Sequence, residues 1–249
     1  MSRFDLGGRI AIVTGGSRGL GRAISLGFAE AGAKVVVASR KLDACQTVVD
    51  EITAAGGAAH AIAVTMGEAA SVEELVAQTV ERYGGVGIVV NNAGTVLDRP
   101  LGRIEPDTFH GAFSTNLLGP LLLVQAAADE LAASGHGSVI NVVSIAAFTP
   151  QPGRYYYPPV KAALAQATRS LAQDLGPRGV RVNAISPGTF RTDMVTKAYD
   201  DEMLDRIGRT TAVGRIGEPD EMVGPALLLA SDAGSMITGQ VLTVDGGAT

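Results

Sequence analysis

The feature that most constrains this chain is a regular alternation of short β-branched runs with segments of helical spacing. The runs are Arg9–Thr14, Lys34–Ser39, Ala58–Thr65, Val86–Val90, Ser138–Val143, Val180–Ile185 and Val241–Val244. Most are continuously apolar, which suits strands covered on both faces. Between them, Gly21–Ala31 places Ala23, Ile24, Leu26, Phe28 and Ala29 at helical spacing, and Ser71–Arg82 does the same with Val72, Leu75, Val76 and Val80. The pattern predicts an α/β fold, a doubly wound sheet of about seven parallel strands with helices on both faces. No linker, repeat or low-complexity tract divides the 249 residues, so one domain is expected. Ligands of such sheets gather outside the carboxyl ends of the strands, where strand order reverses.

Composition narrows the function classes. The net charge is −5 with both signs scattered, and no basic run is long enough to track a phosphate backbone, so neither nucleic acid nor anionic membrane is an expected partner. The stretch Leu117–Leu131 is interrupted by Pro120, Gln125, Asp129 and Glu130 and reads as too polar and too short to span a bilayer. The amino terminus, Met1 to Asp5, carries an acid and does not resemble a signal or transit peptide. Cys45 is the single cysteine and reads as a core residue, and a cytoplasmic location is expected. His60, His110 and His136 show no ligand spacing, so no metal is expected.

After the first strand comes Gly15-Gly16-Ser17-Arg18-Gly19-Leu20-Gly21, then a helix. Glycines here permit a tight turn, bring bare backbone N–H groups to a pyrophosphate, and let strand and helix pack closely. No Gly-Lys-Ser/Thr ending follows, which argues against nucleoside triphosphate hydrolysis. The second strand ends Ser39-Arg40-Lys41, where an NAD site usually carries an acid for the ribose 2′-OH. A hydroxyl and two cations, with Arg18 in reach from the glycine turn, suit a 2′-phosphate instead. NADP is therefore favoured over NAD.

Three tyrosines stand together at Tyr155, Tyr156 and Tyr157. A phenol with its ordinary pKa near 10 is a poor base unless a cation stabilises its phenolate. Lys161 lies four residues beyond Tyr157, on the same helical face, which selects Tyr157 from the three. The strand before them delivers Ser144 at its carboxyl end, where its hydroxyl can bond a substrate oxygen.

Taken together these residues resemble the short-chain dehydrogenase/reductase family over nearly the whole chain. The matching pieces are Thr14-Gly15-x-x-x-Gly19-x-Gly21, Asn91-Asn92-Ala93-Gly94, Asn116, Ser144, Tyr157-x-x-x-Lys161, Pro187-Gly188 with Thr192, Thr238-Gly239-Gln240, and Val244-Asp245-Gly246-Gly247. The resemblance implies a Rossmann-type fold and an oxidoreductase interconverting a ketone and a secondary alcohol. It implies that Tyr157 is the general acid or base, that Lys161 lowers its pKa and bonds the nicotinamide ribose, and that Ser144 orients the carbonyl. Asn116 would hold a water relaying protons from Lys161. Asn92, Ala93 and Gly94 would border the adenosine ribose, and Thr65 and Met66 the adenine. Pro187, Gly188, Phe190 and Thr192 would hold the nicotinamide carboxamide. For Asn91 the favoured role is structural, an amide tying adjacent strands.

The chain departs from the family in two places. Pro158-Pro159-Val160 stands between tyrosine and lysine, where small residues are usual, so that either the helix starts late or Tyr157 is displaced. Thr65 stands where many relatives carry Asp or Asn. The substrate pocket is expected to be mainly apolar, lined by Ala146, Phe148, Gln151, Tyr155, Phe190 and Met194, under a lid near residues 190–215. The acidic-then-neutral stretch Asp129 to Gly135 favours a free ketone, secondary alcohol or sugar over a carrier-bound acyl chain, and Arg178 keeps open the alternative of a 3-oxoacyl-carrier-protein or acyl-CoA reductase. The prolines keep open a catalytically silent NADP-binding protein. The expected helices Thr108–Ala133 and Val160–Leu175 are apolar on more than one face, which suits a homotetramer or homodimer.

Overall fold

The β-branched runs pair as one parallel sheet: β1 (Ile10–Thr14), β2 (Lys34–Ser39), β3 (Ala58–Ala63), β4 (Ile88–Asn91), β5 (Ser138–Val142), β6 (Arg181–Pro187) and β7 (Val241–Val244). The structure is a computed structural model that describes residues 2–249; Met1, named above with the amino terminus, lies outside the described residues. Strand order is β3-β2-β1-β4-β5-β6-β7. Alternate residues of one strand face opposite sides, so a run that is apolar throughout feeds two cores. Ala11 and Val13 of β1 join Val35 and Val37 of β2 beneath Ile24, Phe28, Val48 and Ile52, from α1 (Gly19–Glu30) and α2 (Leu42–Ala54). Ile12, Val36 and Ala38 face the other way, toward Val72 and Leu75 of α3 (Ala69–Tyr83). The chain thus changes face between β3 and β4, and the crevice this leaves lies between the carboxyl ends of β1 and β4.

Strand ends differ from the sequence expectation where pairing partners decide them. β3 stops at Ala63, because the Val64 and Thr65 N–H groups turn to Ser39 O and to Ser71 Oγ, at 3.0 and 2.9 Å. β6 runs on to Pro187, because β7 continues to pair with it at Ser186 and Pro187. β4 starts at Ile88 and takes in Asn91, which pairs with Asn141 of β5. Asn91 Nδ2 donates to Asn141 Oδ1, Asn141 Nδ2 donates to Thr168 Oγ1, each at 2.9 Å, and Thr168 Oγ1 donates to Leu164 O at 2.8 Å. This buried chain ties β4, β5 and α6 (Tyr157–Leu175) together, as the structural role of Asn91 requires.

The helix expected over Thr108–Ala133 is three pieces: α4 (Pro106–Phe113), a π turn over Ser114–Leu118, and α5 (Gly119–Ala133). Gly119 N–H donates to Ser114 O, five residues back. Pro120 has no N–H to offer Asn116 O four residues earlier, and this missing donor is the physical reason for the irregular turn at that point. The whole run, Pro106–Ala133, has 28 residues and is long and apolar enough to cross a bilayer, which corrects the expectation drawn from Leu117–Leu131 alone. Its packing is that of a core helix, with Leu123, Val124, Ala127 and Leu131 buried under the sheet beside α3. The chain continues through α7 (Asp193–Thr196), α8 (Asp201–Gly208) and α9 (Val223–Ala230).

Replacing Asn141 by Ala should cost about 2–4 kcal/mol, because it opens a cavity and takes from the Asn91 amide its 2.9 Å acceptor and from the Thr168 hydroxyl its 2.9 Å donor. Urea unfolding measures this, and a loss inside about 0.5 kcal/mol would show that the buried chain of amides does not hold α6 to the sheet.

Candidate active site

The floor of the crevice is stitched by Thr14. Its Oγ1 accepts the N–H groups of Asn92 and Ala93, each at 3.1 Å, and donates to Val90 O at 3.1 Å. Asn92 Nδ2 returns to Thr14 O and Gly15 O, at 3.0 and 3.2 Å. The two turns approach so closely that a Cβ on Gly15, whose φ is +64°, would lie 2.8 Å from Asn92 Nδ2 and 2.9 Å from Ala93 Cα. A Cβ on Gly21 would collide with Gly15 O and Asn92 Nδ2. These glycines are therefore required by backbone approach.

A dinucleotide fits what this rim offers. The α1 amino terminus has no side-chain cap and no acid in its first turn, so the N–H groups at Gly19, Leu20 and Gly21 face outward for an anion. A cleft of about 440 Å³ opens there, lined by Ser17, Arg18, Gly19, Arg22, Arg191 and Thr192 among others. Gly16 N–H donates to Ala38 O at 3.3 Å and so joins the glycine turn to the end of β2. Arg18, Arg40 and Lys41 are exposed, and among the described residues none is in a salt bridge, whereas Arg22 pairs with Glu51. Ser39 Oγ is 3.0 Å from Cys45 Sγ, which is buried as expected from the sequence.

The remaining cofactor candidates divide by what their side chains do. Gly94 leaves open the space over two of the polar groups, since a Cβ there would meet Asn116 Oδ1 at 2.9 Å and Lys161 Nζ at 3.6 Å. Thr65 is half-buried; Met66 is buried against Gly119, so only its backbone is free for a ligand. Pro187 is buried, and a Cβ on Gly188 would touch Asp245. The Phe190 ring packs into the core against Gly217, which leaves its backbone, bridged to Gly217, at the crevice. Of the pocket candidates, Ala146 is buried beside Ser144, Gln151 is half-buried, and Phe148, Tyr155 and Met194 are exposed. Residues 190–215 carry α7 and α8, linked to the segment before α6 by Arg154 Nη2 donating to Tyr199 Oη at 3.0 Å.

Both prolines are accommodated where α6 starts. The helix begins at Tyr157 itself, with Pro158 and Pro159 in its first turn. The first intrahelical bond is Val160 N–H to Tyr156 O, at 3.1 Å. A helix leaves its first N–H groups without partners. Two of these donors are absent because the residues are prolines, and the N–H groups of Tyr156 and Tyr157 are both accepted by Asp98 Oδ1, at 3.2 Å. The Tyr156 hydroxyl, buried, accepts Glu105 N–H at 2.7 Å and donates to Glu105 O at 3.3 Å.

Ser144, Tyr157, Lys161 and Asn116 come together above β4 and β5. Ser144 caps a short helical turn by accepting Ala146 N–H at 3.2 Å. Burial pushes the Tyr157 phenol above its ordinary pKa, partly offset by the Ser144 hydroxyl and Arg154, while Asp98 adds to the rise. Lys161 is 3% exposed and donates to Val142 O at 2.8 Å; its Nζ lies 5.7 Å from the Tyr157 ring centroid. Burial lowers its pKa to about 8. Asn116 sits in the π turn, fully buried, donating to Thr95 O and Ala112 O at 3.0 and 2.9 Å and accepting Thr95 N–H at 3.3 Å. Asp98, Thr95, Tyr156 and the Val142 carbonyl were not marked by the sequence patterns, since each acts through a contact remote along the chain.

The family described as enoyl-(acyl carrier protein) reductase matches residues 15–249. An L-rhamnose 1-dehydrogenase (NAD(P)(+)) of Azotobacter vinelandii is 38% identical over 245 residues, 96% of this chain and 96% of that protein. Among solved structures, a short-chain type dehydrogenase/reductase from Mycobacterium marinum has a TM-score of 0.93 at 36% identity, with 99% of this chain and 97% of that one covered. A gluconate 5-dehydrogenase from Burkholderia cenocepacia, in complex with NADP and tartrate, has a TM-score of 0.93 at 35% identity, with 99% and 97% covered.

Burying Lys161 has a stability consequence with a definite sign. Its folded pKa is lowered, so the protonated form destabilises the fold below about pH 8, and the deficit is relieved as pH rises from about 8 toward the unfolded value of 10.5. In the cofactor-free protein, Lys161→Met should gain on the wild type by about 3 kcal/mol at pH 7 relative to its standing above pH 10.5. Denaturant unfolding across that window measures the difference, and a pH-independent difference would contradict the buried-ammonium description.

Proposed function

The chain belongs to the short-chain dehydrogenase/reductase family, whose members act on CH–OH groups with NAD(P), and from that premise we propose that it is an NADP-dependent oxidoreductase interconverting a ketone and a secondary alcohol. The observation that carries this reading is the buried Lys161 ammonium beside the Tyr157 ring, four residues apart on α6, with the Ser144 hydroxyl at the same phenol. The bound cofactor supplies the hydride exchange. Ser144 donates a hydrogen bond to the carbonyl oxygen, and Tyr157 Oη delivers the proton to that oxygen in reduction. With its pKa raised, Tyr157 rests in the acid form at neutral pH, which suits reduction. Alcohol oxidation needs the phenolate, and the Lys161 cation, which prevails below pH 8, stabilises it. Asn116 holds the proton path behind Lys161 open.

Arg18 in the glycine turn, and Arg40 and Lys41 at the end of β2, none of them in a salt bridge among the described residues, support NADP, as does NADP in the gluconate 5-dehydrogenase neighbour. The substrate is read as a free ketone, secondary alcohol or sugar. The match to the enoyl-(acyl carrier protein) reductase family supports an acyl-carrier substrate as the second reading. Against it, Arg178, the cation that would meet an acidic carrier, is held by Asp129 at 2.6 Å and by Ala128 O at 3.3 Å. The exposed apolar residues on the approach to α5, Leu101 at 76%, Ile104 at 53% and Leu118 at 46%, support a homotetramer or homodimer, which light scattering measures.

A panel of ketones followed by NADPH absorbance tests the reaction. Tyr157→Phe should lose about 10²–10⁴-fold in turnover while binding NADPH normally, and retained turnover would remove Tyr157 as the acid. Arg40→Asp should raise the KM for NADPH about 10–100-fold and leave that for NADH little changed; equal effects on both would sink the NADP preference.

A further inference from the structure

The segment between β4 and α4 is bound to the start of α6 at two points. Asp98 Oδ1 takes the N–H groups of Tyr156 and Tyr157, and the Tyr156 hydroxyl closes a two-way contact with the Glu105 backbone. Tyr156 is 1% exposed and packs edge-on against Phe109 of α4, with ring centroids 5.7 Å apart, so that second point is rigid. Arg99 and Glu105 pair at 3.2 Å and hold the segment in its own shape. Among the described residues no other acceptor meets the Tyr157 N–H, and no side chain of α6 caps it. Because Pro158 and Pro159 follow, the next backbone donor is Val160, already spent within the helix. The Asp98 tether thus reaches the residue that carries the phenol. Asp98 Oδ2 is buried with no partner, an unfavourable arrangement that a helix cap alone would not need.

We propose that Asp98 is a positioning residue for the Tyr157 phenol, holding the first turn of α6 through the Tyr156 and Tyr157 amides and placing its carboxyl charge behind the site. The inference rests on the function proposed for Tyr157. The two oxygens have separable tasks: Oδ1 fixes backbone, and the charge shared with Oδ2 disfavours the phenolate. Around the phenol, Ser144 and Arg154 favour the phenolate and Asp98 opposes it, with Lys161 Nζ 5.7 Å from the ring centroid. Arg154 is itself bonded to Tyr199, so the opposing cation is anchored on residues 190–215. The consequence is a phenol kept as an acid until a cation comes to dominate its surroundings, which biases the site toward carbonyl reduction.

Two substitutions separate the tasks. Asp98→Asn keeps an acceptor oxygen and removes the charge. It should retain hydrogen-exchange protection at the amides of residues 156 and 157 and stay within about 3-fold of wild-type kcat, and it should move the midpoint of the alcohol-oxidation pH profile down by about half a unit. Asp98→Ala removes both. It should lose that protection and lower kcat about 10–100-fold, with the KM for NADPH changed less than about 2-fold. Wild-type kcat or full amide protection in Asp98→Ala, an unmoved pH midpoint in Asp98→Asn, or equal impairment of the two variants would each overturn the proposal. Should Asp98→Ala not fold, the Asp98→Asn profile decides alone. Wild-type protein that turns over no ketone would refute the proposed function, while amide exchange at residues 156 and 157 still reports on the tether.

Discussion

A lysine ammonium taken out of water and given one backbone carbonyl is the interaction around which this molecule is arranged. Lys161 donates to Val142 O at the carboxyl end of β5 and is all but inaccessible. Such burial is unfavourable unless neighbours compensate. Here they are assembled from every element that reaches the crevice. β5 provides the carbonyl, α6 the tyrosine whose ring lies alongside, and the π turn an asparagine whose oxygen shares the space over Gly94. The glycine at position 94 keeps that space open for a ligand.

The frame that holds these elements is equally specific. Thr14 sews the first turn to the fourth strand, the Asn91–Asn141–Thr168 chain sews β4 and β5 to α6, and Asp98 tethers the first turn of α6 from the side. The Asn91–Asn141–Thr168 chain and the Asp98 carboxylate both hold α6, the helix that carries Tyr157 and Lys161. Precision of this order matters, since an ångström of misplacement at a reacting group lowers rates steeply.

Much of this was legible in the sequence, for identifiable reasons. Short β-branched runs that are apolar throughout suit strands covered on both faces, and their positions carry the sheet. The i, i+4 spacing of Tyr157 and Lys161 is a local geometric fact, and the glycines of the first turn are forced by backbone approach that no side chain permits. What escaped was nonlocal. Asp98 is 58 and 59 residues from the amides it accepts, and no pattern of spacing announces such a partner. The prolines read as a threat to Tyr157 because their effect on the preceding residue is local, whereas their benefit, two N–H groups that need no acceptor, appears only once the helix start is seen. Asn116 was marked by resemblance, but the π turn that carries it follows from Pro120 withholding a donor four residues later. Phe190 was read as a pocket wall, and its ring turns instead to Gly217.

The proposed function requires that this crevice exchange a hydride between NADP(H) and a carbonyl carbon and be no passive cofactor-binding site. The most direct measurement is isotope transfer from NADPH deuterated at the nicotinamide C4, with a panel of free ketones and mass spectrometry of the alcohols formed. The account predicts one deuterium on the carbinol carbon of the product, delivered from one face of the nicotinamide only. Tight binding of the labelled cofactor with no deuterium in any product, across free and carrier-linked ketones alike, would contradict it.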